Sequence, residues 1–466
     1  MTVREAGQAM PARSGDLTIE TRGMEPVPEA NRYGSPLRVF SVWFAPNLVP
    51  PAFFVGTLAA ADFLQLGFTT GLLAIILGNL IGSSVVGLMG TMGPRSGMAQ
   101  LPLARLPFGK SIVLPGILNW LACIAWDAFD SIFGAAAISL LTGAPFVVSL
   151  LVIIVAQAIV GIIGYEAIHT FQKWMSALLA LMFVAITIGV LQVGQFTRPD
   201  GLAGLDQLGA FVTMTTVVAS FAMAWAVYAS DYTRYLPAST SPRAIFLATV
   251  AGLTLSAGWL EVLGLAVAGI ITGNGVENIR DEVLGGGLLG ALAMVAIGLG
   301  TVSVNVMNDY TGSLSLQAAG IRIPRPVSAA LVASLAFVLT LIINNGDIAG
   351  QFVNYLLLIS YWVAPFAAVV LVDWRLRRGR VDGARLMDLG QLPSGRNALI
   401  AFLVGLLASV PFMSTTLFIG PIASDVLYFA DTAYYVGFAV AAVVYALLWR
   451  TSLAADRSAN PASTVV

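Results

Sequence analysis

The sequence predicts an all-α polytopic membrane protein, and three observations support this fold class. The 466-residue chain is 58% hydrophobic and only 10% charged, against about 25% charged residues in a typical soluble domain. Its apolar residues fall into twelve stretches that each reach the ~20 residues needed to cross the hydrocarbon core of a bilayer. Finally, 21 of the 23 Lys and Arg residues lie in or beside alternate connecting segments, which is typical of the cytoplasmic side of a membrane protein.

This charge bias also predicts the orientation. With a cytoplasmic N-terminus, the outside loops contain only Arg198 and Arg280, whereas a shift of one span would invert the bias. We therefore expect a multi-pass protein of the plasma or inner membrane with two cytoplasmic tails, 1–36 and 451–466. The predicted spans are 37–60, 67–92, 111–141, 144–164, 171–194, 207–229, 243–272, 284–308, 327–345, 349–374, 396–419 and 427–450.

Composition and missing motifs exclude several function classes. A net charge of −1 gives no support for nucleic-acid binding. Cys123 and His169 are the single cysteine and the single histidine, and the chain has no His-Glu-x-x-His or Gly-x-Ser-x-Gly motif. We therefore expect no enzyme activity, no cofactor and no metal site beyond a possible sodium ion.

The first predicted span contains three prolines within six residues, Pro46, Pro50 and Pro51. Each proline lacks a backbone N–H donor and clashes with the preceding turn, so a continuous helix is disfavoured. One interpretation is a kinked helix, or a span that begins at Pro51. The other is an unwound segment whose carbonyl groups bind a ligand or a cation, as in secondary transporters. Asn47 lies within this segment, and its amide can both donate and accept hydrogen bonds.

Polar residues inside the predicted spans are a second sign of a functional cavity, because such groups are costly in a bilayer and usually face a pathway. In the third span Trp126 and Asp130 are four residues apart and share a helix face, whereas Asp127 points elsewhere. Interhelical hydrogen bonds would explain any one such residue, but the combination with tryptophans favours a shared cavity. The eighth span adds a polar stripe at helical spacing, formed by Thr301, Asn305 and Asn308.

The end of the sixth span carries the most specific motif, WAVYASDYTRYLP from Trp225 to Pro237. It closely resembles the end-of-helix motif of the purine–cytosine permeases, the nucleobase:cation symporter family. The matches run from about residue 18 to 380, so the resemblance covers most of the chain. Six further segments resemble the same family in the same order: Ile19–Gly23 with Val27–Pro28, Trp43–Asn47, Gly93–Gly97, Trp126–Asp130, Asn308–Thr311 with Leu314–Gln317, and Ile359–Phe366.

This resemblance implies a leucine-transporter-like fold. Such a fold has two five-helix repeats of opposite orientation and, in this family, two peripheral helices. In this chain the transporter domain would cover 37–450, with repeats at about 37–194 and 207–374 and peripheral helices at 396–450. The sequence itself contains no convincing internal repeat, so the pairing rests on the resemblance.

The resemblance also implies a set of site residues. Family members stack a planar heterocycle between a third-helix and a sixth-helix tryptophan, which correspond to Trp126 and Trp225. A polar side chain at the place of Asp130 hydrogen-bonds the edge of the ligand, and an eighth-helix asparagine, here Asn305 or Asn308, does the same. Where family members use sodium, the ion lies between first-helix carbonyls and eighth-helix hydroxyls. The corresponding residues are Ala45 and Leu48, opposite Thr301 and Ser303.

Three features of the predicted site bear on its chemistry. Ala224 precedes the sixth-helix tryptophan at a place where the family often has glycine. Asp130 replaces a common amide, and a carboxylate accepts hydrogen bonds but donates only when protonated. It therefore favours a ligand that offers donors or is cationic, and it could bind a proton together with substrate. Thr301 and Ser303 are only two residues apart, an imperfect pair for one ion, which favours protons over sodium.

Together these features predict a secondary active transporter that imports a nucleobase-type planar heterocycle, cytosine or a purine first, by proton or sodium symport. A related heterocycle such as hydantoin, allantoin, thiamine or another vitamin precursor is the alternative. A channel or an intramembrane enzyme is a distant alternative. The expected partners are a small-molecule substrate and the lipid bilayer, without nucleic acid, and the sequence leaves the oligomeric state open.

Overall fold

The computed structural model describes residues 24–163, 165–321, 323–383 and 385–459. Throughout this part of the chain the secondary structure is helical, apart from one isolated bridge between Ser414 and Ile419. The predicted all-α class is therefore confirmed. The rest of the predicted tails, including the Ile19–Gly23 segment of the resemblance, lies outside the described residues.

Each of the twelve predicted spans coincides with a helix or with a broken helix. The first span comprises α1 and α2, and the other eleven correspond in order to α3, α6, α7, α8, α9, α11, α13, α14, α15, α16 and α18. The helices are α1 Pro36–Phe44, α2 Pro50–Thr57, α3 Phe68–Gly90, α4 Gly93–Ser96, α5 Gln100–Phe108, α6 Val113–Thr142, α7 Phe146–Ile163, α8 Tyr165–Val193, α9 Gly204–Met223, α10 Ala229–Thr233, α11 Pro242–Val267, α12 Val276–Asn278, α13 Gly287–Ala318, α14 Arg325–Ile343, α15 Ile348–Leu376, α16 Arg396–Ser409, α17 Pro421–Asp425 and α18 Ala433–Ala459.

The lengths and compositions of these helices are those of a multi-pass membrane protein. Within the described residues, six helices are long and apolar enough to cross a bilayer, and the α1–α2 pair passes the same test although it bends by 65°. Five shorter apolar segments lie within α7, α8, α14, α16 and α18. The count of twelve crossings and the cytoplasmic position of both termini stay predictions.

The charged segment between the second and third predicted spans is largely helical, which the sequence did not predict. α4 and α5 occupy it, and Arg105 of α5 is buried. The guanidinium of Arg105 donates hydrogen bonds to the carbonyls of Gln317, Ala318 and Leu386. The first two carbonyls end α13, where the helix dipole favours a positive charge. The contacts of Arg105 with α13 therefore stabilise α5, in a segment whose charge predicts only a loop between two spans.

The last two predicted spans have different boundaries from those expected. α16 ends at Ser409 rather than near 419, and α18 begins at Ala433 rather than near 427. Pro411 lacks the N–H donor that would continue α16. The backbone of α18 continues to Ala459, so the helix extends into the predicted C-terminal tail.

Two groups of helices pack separately and meet at the centre of the molecule. α2, α3, α9 and α11 form one group, and α6, α7, α13 and α14 form the other. Glycines allow the close contacts within each group. A Cβ atom at Gly56 would overlap the Glu261 carbonyl, and one at Gly134 would lie 2.7 Å from Thr301 Cβ. Small residues at such contacts are typical of helix packing in membranes, and the candidate site lies between the two groups.

Candidate substrate-binding site

The first span is broken at its prolines, as the sequence predicts. α1 ends at Phe44, a 3-10 turn covers Ala45–Asn47, and α2 begins at Pro50. Asn47 is buried, and its Nδ2 donates a hydrogen bond to the Trp43 carbonyl at 2.8 Å. The side chain of Asn47 therefore satisfies a carbonyl at the end of α1, where the regular hydrogen bonds of the helix stop.

The sixth span has a second break, in the first helix of the second predicted repeat. α9 ends at Met223, and a 3-10 turn from Ala224 to Tyr228 leads into α10. Ala224 has ordinary helical dihedral angles, φ −54° and ψ −28°, so alanine fits where the family often has glycine. Trp225 Nε1 donates a hydrogen bond to Asn47 Oδ1 at 3.2 Å, which joins the two breaks directly.

α6 and α13 run antiparallel and supply the opposite wall. Asn119 Nδ2 of α6 donates to Ser315 Oγ of α13 at 2.8 Å, and Thr301 Oγ1 of α13 donates to the Asp130 carbonyl of α6 at 3.4 Å. The N-terminal half of each helix therefore lies beside the C-terminal half of the other. Between these two contacts Asn308 Nδ2 approaches Asp130 Oδ2 at 3.5 Å.

These four segments line one small cavity, which leaves about 20 Å³ for the centre of a water-sized molecule. Six of the seven residues predicted to bind substrate line it: Asn47, Trp126, Asp130, Ala224, Trp225 and Asn308. The other lining residues are Pro46, Val49, Phe221, Tyr228 and Val304. The fold thus brings residues from distant parts of the sequence to one place, although their role in binding stays a prediction.

Aromatic neighbours hold both tryptophans of the cavity in place. The ring of Trp126 packs edge-on against Phe221, with centroids 5.7 Å apart, and against Tyr355 at 5.1 Å. Trp225 packs edge-on against Trp43 at 5.7 Å and against Tyr228 at 5.3 Å. Such edge-to-face pairs are favourable arrangements of aromatic rings. The two indoles, one on α6 and one at the sixth-span break, are therefore held in place by their neighbours.

A chain of hydrogen bonds runs along the polar side of the cavity. Cys123 Sγ and the Tyr228 hydroxyl are 3.2 Å apart, and that hydroxyl donates to Asn308 Oδ1 at 3.3 Å. Because the amide oxygen of Asn308 is occupied, its Nδ2 is the atom that faces Asp130. Asp130 is buried, and as an ionised group it can only accept hydrogen bonds. The polar edge of the cavity is therefore rich in acceptors.

Asn305, the seventh predicted substrate residue, lies elsewhere. Its Nδ2 donates to Gln157 Oε1 of α7 at 2.7 Å and to Ser131 Oγ of α6 at 3.0 Å. Asp127 joins the same cluster and accepts from Gln157 Nε2 at 2.6 Å and from Ser131 Oγ at 3.2 Å. Of the two asparagines that the sequence left open, Asn308 is the one at the cavity. Asp127 does point away from it, as predicted.

The four residues predicted to bind a cation are only partly brought together. The Ala45 carbonyl accepts a hydrogen bond from the N–H of Leu48 at 3.1 Å, so it is already engaged. Thr301 faces α6, where its Oγ1 donates to the Asp130 carbonyl. Ser303 lies two residues further, which is about 200° around the helix. The predicted hydroxyl pair is therefore split between two faces of α13, and the cation site stays a prediction.

Sequence reasoning missed several lining residues. Phe221 precedes Trp225 by four residues and Tyr228 follows it by three, so helical spacing would have placed both beside that tryptophan. Tyr228 also lies inside the motif that carries the resemblance. Val49 and Val304 offer no comparable signal, because an apolar residue in a span faces lipid or a neighbouring helix equally often.

Comparison with known proteins gives a consistent result. A family model described as a permease for cytosine/purines, uracil, thiamine and allantoin matches residues 26–440. A purine-cytosine permease of Emericella nidulans is 28% identical over 93% of this chain and 89% of its own length. A putative purine-cytosine permease of Bacillus subtilis is 26% identical over 94% of this chain and 97% of its own length.

Solved structures match the fold. Mhp1, a transporter of the nucleobase-cation-symport-1 family, superposes in a closed conformation with bromovinylhydantoin bound, with a TM-score of 0.75. The match covers 96% of this chain and 100% of Mhp1 at 19% sequence identity. The inward-facing conformation of Mhp1 gives a TM-score of 0.74. The helices of this chain therefore adopt the Mhp1-like transporter fold.

Proposed function

The chain belongs to the family of permeases for cytosine, purines, uracil, thiamine and allantoin, and on that premise we propose that it imports a nucleobase-type planar heterocycle by secondary active symport. Cytosine or a purine is the leading substrate class. The observation that carries this proposal is the cavity between the two groups of helices. It offers two fixed indoles, a carboxyl group and an amide at the point where both broken spans meet.

The chemistry of the walls suits a flat, amphiphilic ring. The indoles of Trp126 and Trp225 provide stacking faces, and Phe221, Val49 and Val304 provide apolar surface. Ligand sites in proteins commonly combine such apolar walls with a few polar groups that fix orientation. A nucleobase has the matching properties, because its faces are apolar and its edge carries hydrogen-bonding groups.

The hydrogen bonds already made inside the cavity limit which edge of a ligand can bind there. Asn47 uses its amide nitrogen for the Trp43 carbonyl and its oxygen for Trp225, and Asn308 uses its oxygen for Tyr228. Asp130 is left as the principal group for the ligand. An ionised carboxylate pairs best with two adjacent N–H donors, as on guanine, whereas a protonated carboxyl pairs with a donor beside an acceptor, as on cytosine or adenine.

A related heterocycle is the alternative substrate, because Asp130 also suits a cationic ring. The family description includes thiamine and allantoin, and a vitamin B6 transporter of Saccharomyces cerevisiae is 22% identical over 82% of this chain. A channel would instead give a flux that neither saturates nor depends on a gradient.

Alternating access requires contacts between the helix groups to break and reform. Such contacts lie at the end of α10, where Thr311 Oγ1 of α13 donates to Asp231 Oδ2 at 3.3 Å and Arg234 donates to the Tyr310 hydroxyl at 3.0 Å. We propose that proton binding and substrate binding together bias this two-state element, because a ligand shifts such an equilibrium only through its different affinity for the two states.

Replacing Asp130 by asparagine tests the polar edge. We expect Asp130→Asn to weaken binding of a ligand with two adjacent donors, such as guanine, by roughly ten- to hundredfold, because a hydrogen bond to a charged group contributes about 1.5–3 kcal/mol. Cytosine and adenine should lose less, since an amide also offers a donor beside an acceptor. Calorimetric titration of the purified variant measures its affinity for guanine, cytosine and adenine. Asp62→Asn, at an exposed site, is the control. An unchanged affinity and an unchanged pH profile of uptake would make Asp130 a structural residue.

A second prediction concerns the coupling ion. The experiment applies a proton gradient and a sodium gradient separately to reconstituted vesicles. We expect the proton gradient to drive substrate accumulation, because the two hydroxyl groups predicted to bind sodium lie on different faces of α13. If sodium drives uptake instead, Ser303→Ala should raise the sodium concentration for half-maximal uptake while Thr301→Ala, on the face towards α6, should not. Accumulation above equilibrium with neither gradient would remove the symport proposal.

A further inference from the structure

Two buried carboxyl groups lie on the neighbouring helices α6 and α13, next in sequence to residues that line the substrate cavity. Asp127 follows Trp126 in α6, and Asp309 follows Asn308 in α13. One residue along a helix is a rotation of about 100°, so both aspartates turn away from the cavity that their neighbours line. Both are fully buried, and their side chains interact electrostatically.

The two carboxyl groups differ in their hydrogen bonds. Asp127 accepts from Gln157 and from Ser131. Among the described residues, neither oxygen of Asp309 has a hydrogen-bond partner, and Asn305 Oδ1 has none either. Asn305 and Asp309 are four residues apart and share a helix face. Three acceptor atoms therefore lie in one buried place where the described residues supply no donor.

The surroundings of Asp309 supply no positive charge. α7 contains no charged residue within 146–163, and the one charged residue of α14 is Arg325 at its first position. α8 packs on another face of α13, where Leu179 lies against Gly300. Besides Asp127, the titratable group that interacts with Asp309 is Cys123 on α6. Asp231 on α10 interacts with Cys123, and Asp130 on α6 interacts with Asp127. Asp231 in turn interacts with Arg234.

An ionised Asp309 would therefore be an unpaired charge in the hydrocarbon region, next to a second carboxyl group. Burying an unpaired charge costs many kcal/mol, and such a group binds a proton instead. A single proton would remove the charge of Asp309 and supply the missing donor to Asn305 or Asp127. It would also remove the repulsion between the two aspartates.

We propose that Asp309, with Asp127 beside it, is a proton-binding site separate from the substrate cavity, and that its proton is the one coupled to transport. The coupling role rests on the transport function proposed above. Asp309 lies between Asn308, which lines the substrate cavity, and Tyr310 and Thr311, whose hydrogen bonds with Arg234 and Asp231 cross from α13 to the end of α10. A rearrangement of these contacts during alternating access therefore changes the surroundings of Asp309. Substrate occupancy and proton affinity are then linked through α13.

Transport assays in proteoliposomes test the coupling role. In Asp309→Asn an amide permanently replaces the neutral acid, so substrate exchange between equal internal and external pools should continue at a rate near that of the wild type. Accumulation driven by a proton gradient should be lost, because the variant carries no proton across. Should Asp309→Asn fail to fold, Asp309→Ser also lacks a titratable group and carries the same expectation.

A second carboxyl variant makes the test specific. Glu261→Gln removes a second buried carboxyl group, which accepts a hydrogen bond from Asn79 in the other helix group, and it should retain proton-driven accumulation. Loss of proton-driven accumulation in Glu261→Gln, together with its retention in Asp309→Asn, would overturn the coupling role.

Infrared spectroscopy tests the bound proton without any substrate. Wild-type protein should show a carbonyl stretching band of a protonated carboxyl group that Asp309→Asn lacks. Asp373→Asn should retain the band, because Asp373 accepts from the guanidinium of Arg377 at 2.9 Å, and such a partner favours the charged form of a carboxyl group. An unchanged band in Asp309→Asn would refute the proton site. If no heterocycle binds or exchanges in the wild type, the transport function fails, and the infrared band still decides the protonation of Asp309 separately.

Discussion

Replacing Trp225 or Trp126 by alanine is expected to weaken substrate binding tenfold or more. Aromatic stacking contributes about 0.5–1.5 kcal/mol beyond the burial of apolar area, and the lost contact area adds about 25 cal/mol per Å². Tenfold corresponds to about 1.4 kcal/mol, so the stacking energy and the lost contact area together reach it in each variant. Trp225→Ala should have the larger effect, because Trp225 also donates the hydrogen bond to Asn47 that joins the two breaks.

Calorimetric titration of the purified variants measures this effect, and a third tryptophan provides the control. Trp259 of α11 is likewise half-buried, and its indole N–H donates to Thr187 Oγ1 at 3.0 Å, away from the cavity. Trp259→Ala should lower thermal stability without changing substrate affinity. Affinity near that of the wild type in both Trp126→Ala and Trp225→Ala, with normal expression in the membrane, would show that the two indoles do not clamp the ligand.

Asn47→Ala is expected to abolish uptake or to reduce it sharply. The substitution removes the donor to the Trp43 carbonyl and the acceptor for Trp225 Nε1, so the two broken spans lose their direct link at the cavity. A buried polar group left without a partner costs about 1–3 kcal/mol. Some loss of thermal stability is therefore expected, within the usual range of about 0.5–3 kcal/mol for a single substitution. The loss of uptake should exceed what this destabilisation explains.

A buried asparagine outside the cavity separates these two effects. Asn79 of α3 donates to the Ile75 carbonyl at 3.0 Å and to Glu261, so Asn79→Ala removes comparable hydrogen bonds. It should destabilise the protein while the surviving molecules transport normally. The two variants are compared by their uptake per folded molecule and by the thermal stability of each ligand-free protein. A stable and fully active Asn47→Ala protein would show that the break in the first span has only a structural role.

Much of the fold could be predicted because it follows from the bilayer. Apolar length, charge asymmetry and the prolines of the first span each have a direct physical consequence in lipid, and the helices and the first break lie where these features place them. Arg105 shows the limit of such arguments. Its charge marks a cytoplasmic connection, yet the ordered helix α5 depends on carbonyl groups at the end of α13, more than 200 residues away, which no local pattern reveals.

The site could be predicted residue by residue only where a motif fixed the register. Trp126, Asp130 and Trp225 line the cavity together, whereas a polar stripe on α13 left Asn305 and Asn308 equivalent. The difference between them is a rotation of about 60° around one helix, which depends on how α13 packs against α6 and α7. Thr301 and Ser303, two residues apart, are separated by about 200° around the same helix. The sequence does not single out Asp309, because what distinguishes this residue is that the described residues donate no hydrogen bond to its carboxyl group. That property depends on the packing around α13.

Uptake of a heterocycle by the purified protein in proteoliposomes tests the central claim most directly. The substrate is first chosen by its ability to raise the thermal stability of the protein, since a ligand that binds the folded state raises apparent stability. The account predicts saturable accumulation of at least one nucleobase or related heterocycle, driven by an imposed ion gradient and strongly reduced in Trp225→Ala. A flux that does not saturate and proceeds equally with and without a gradient would contradict it.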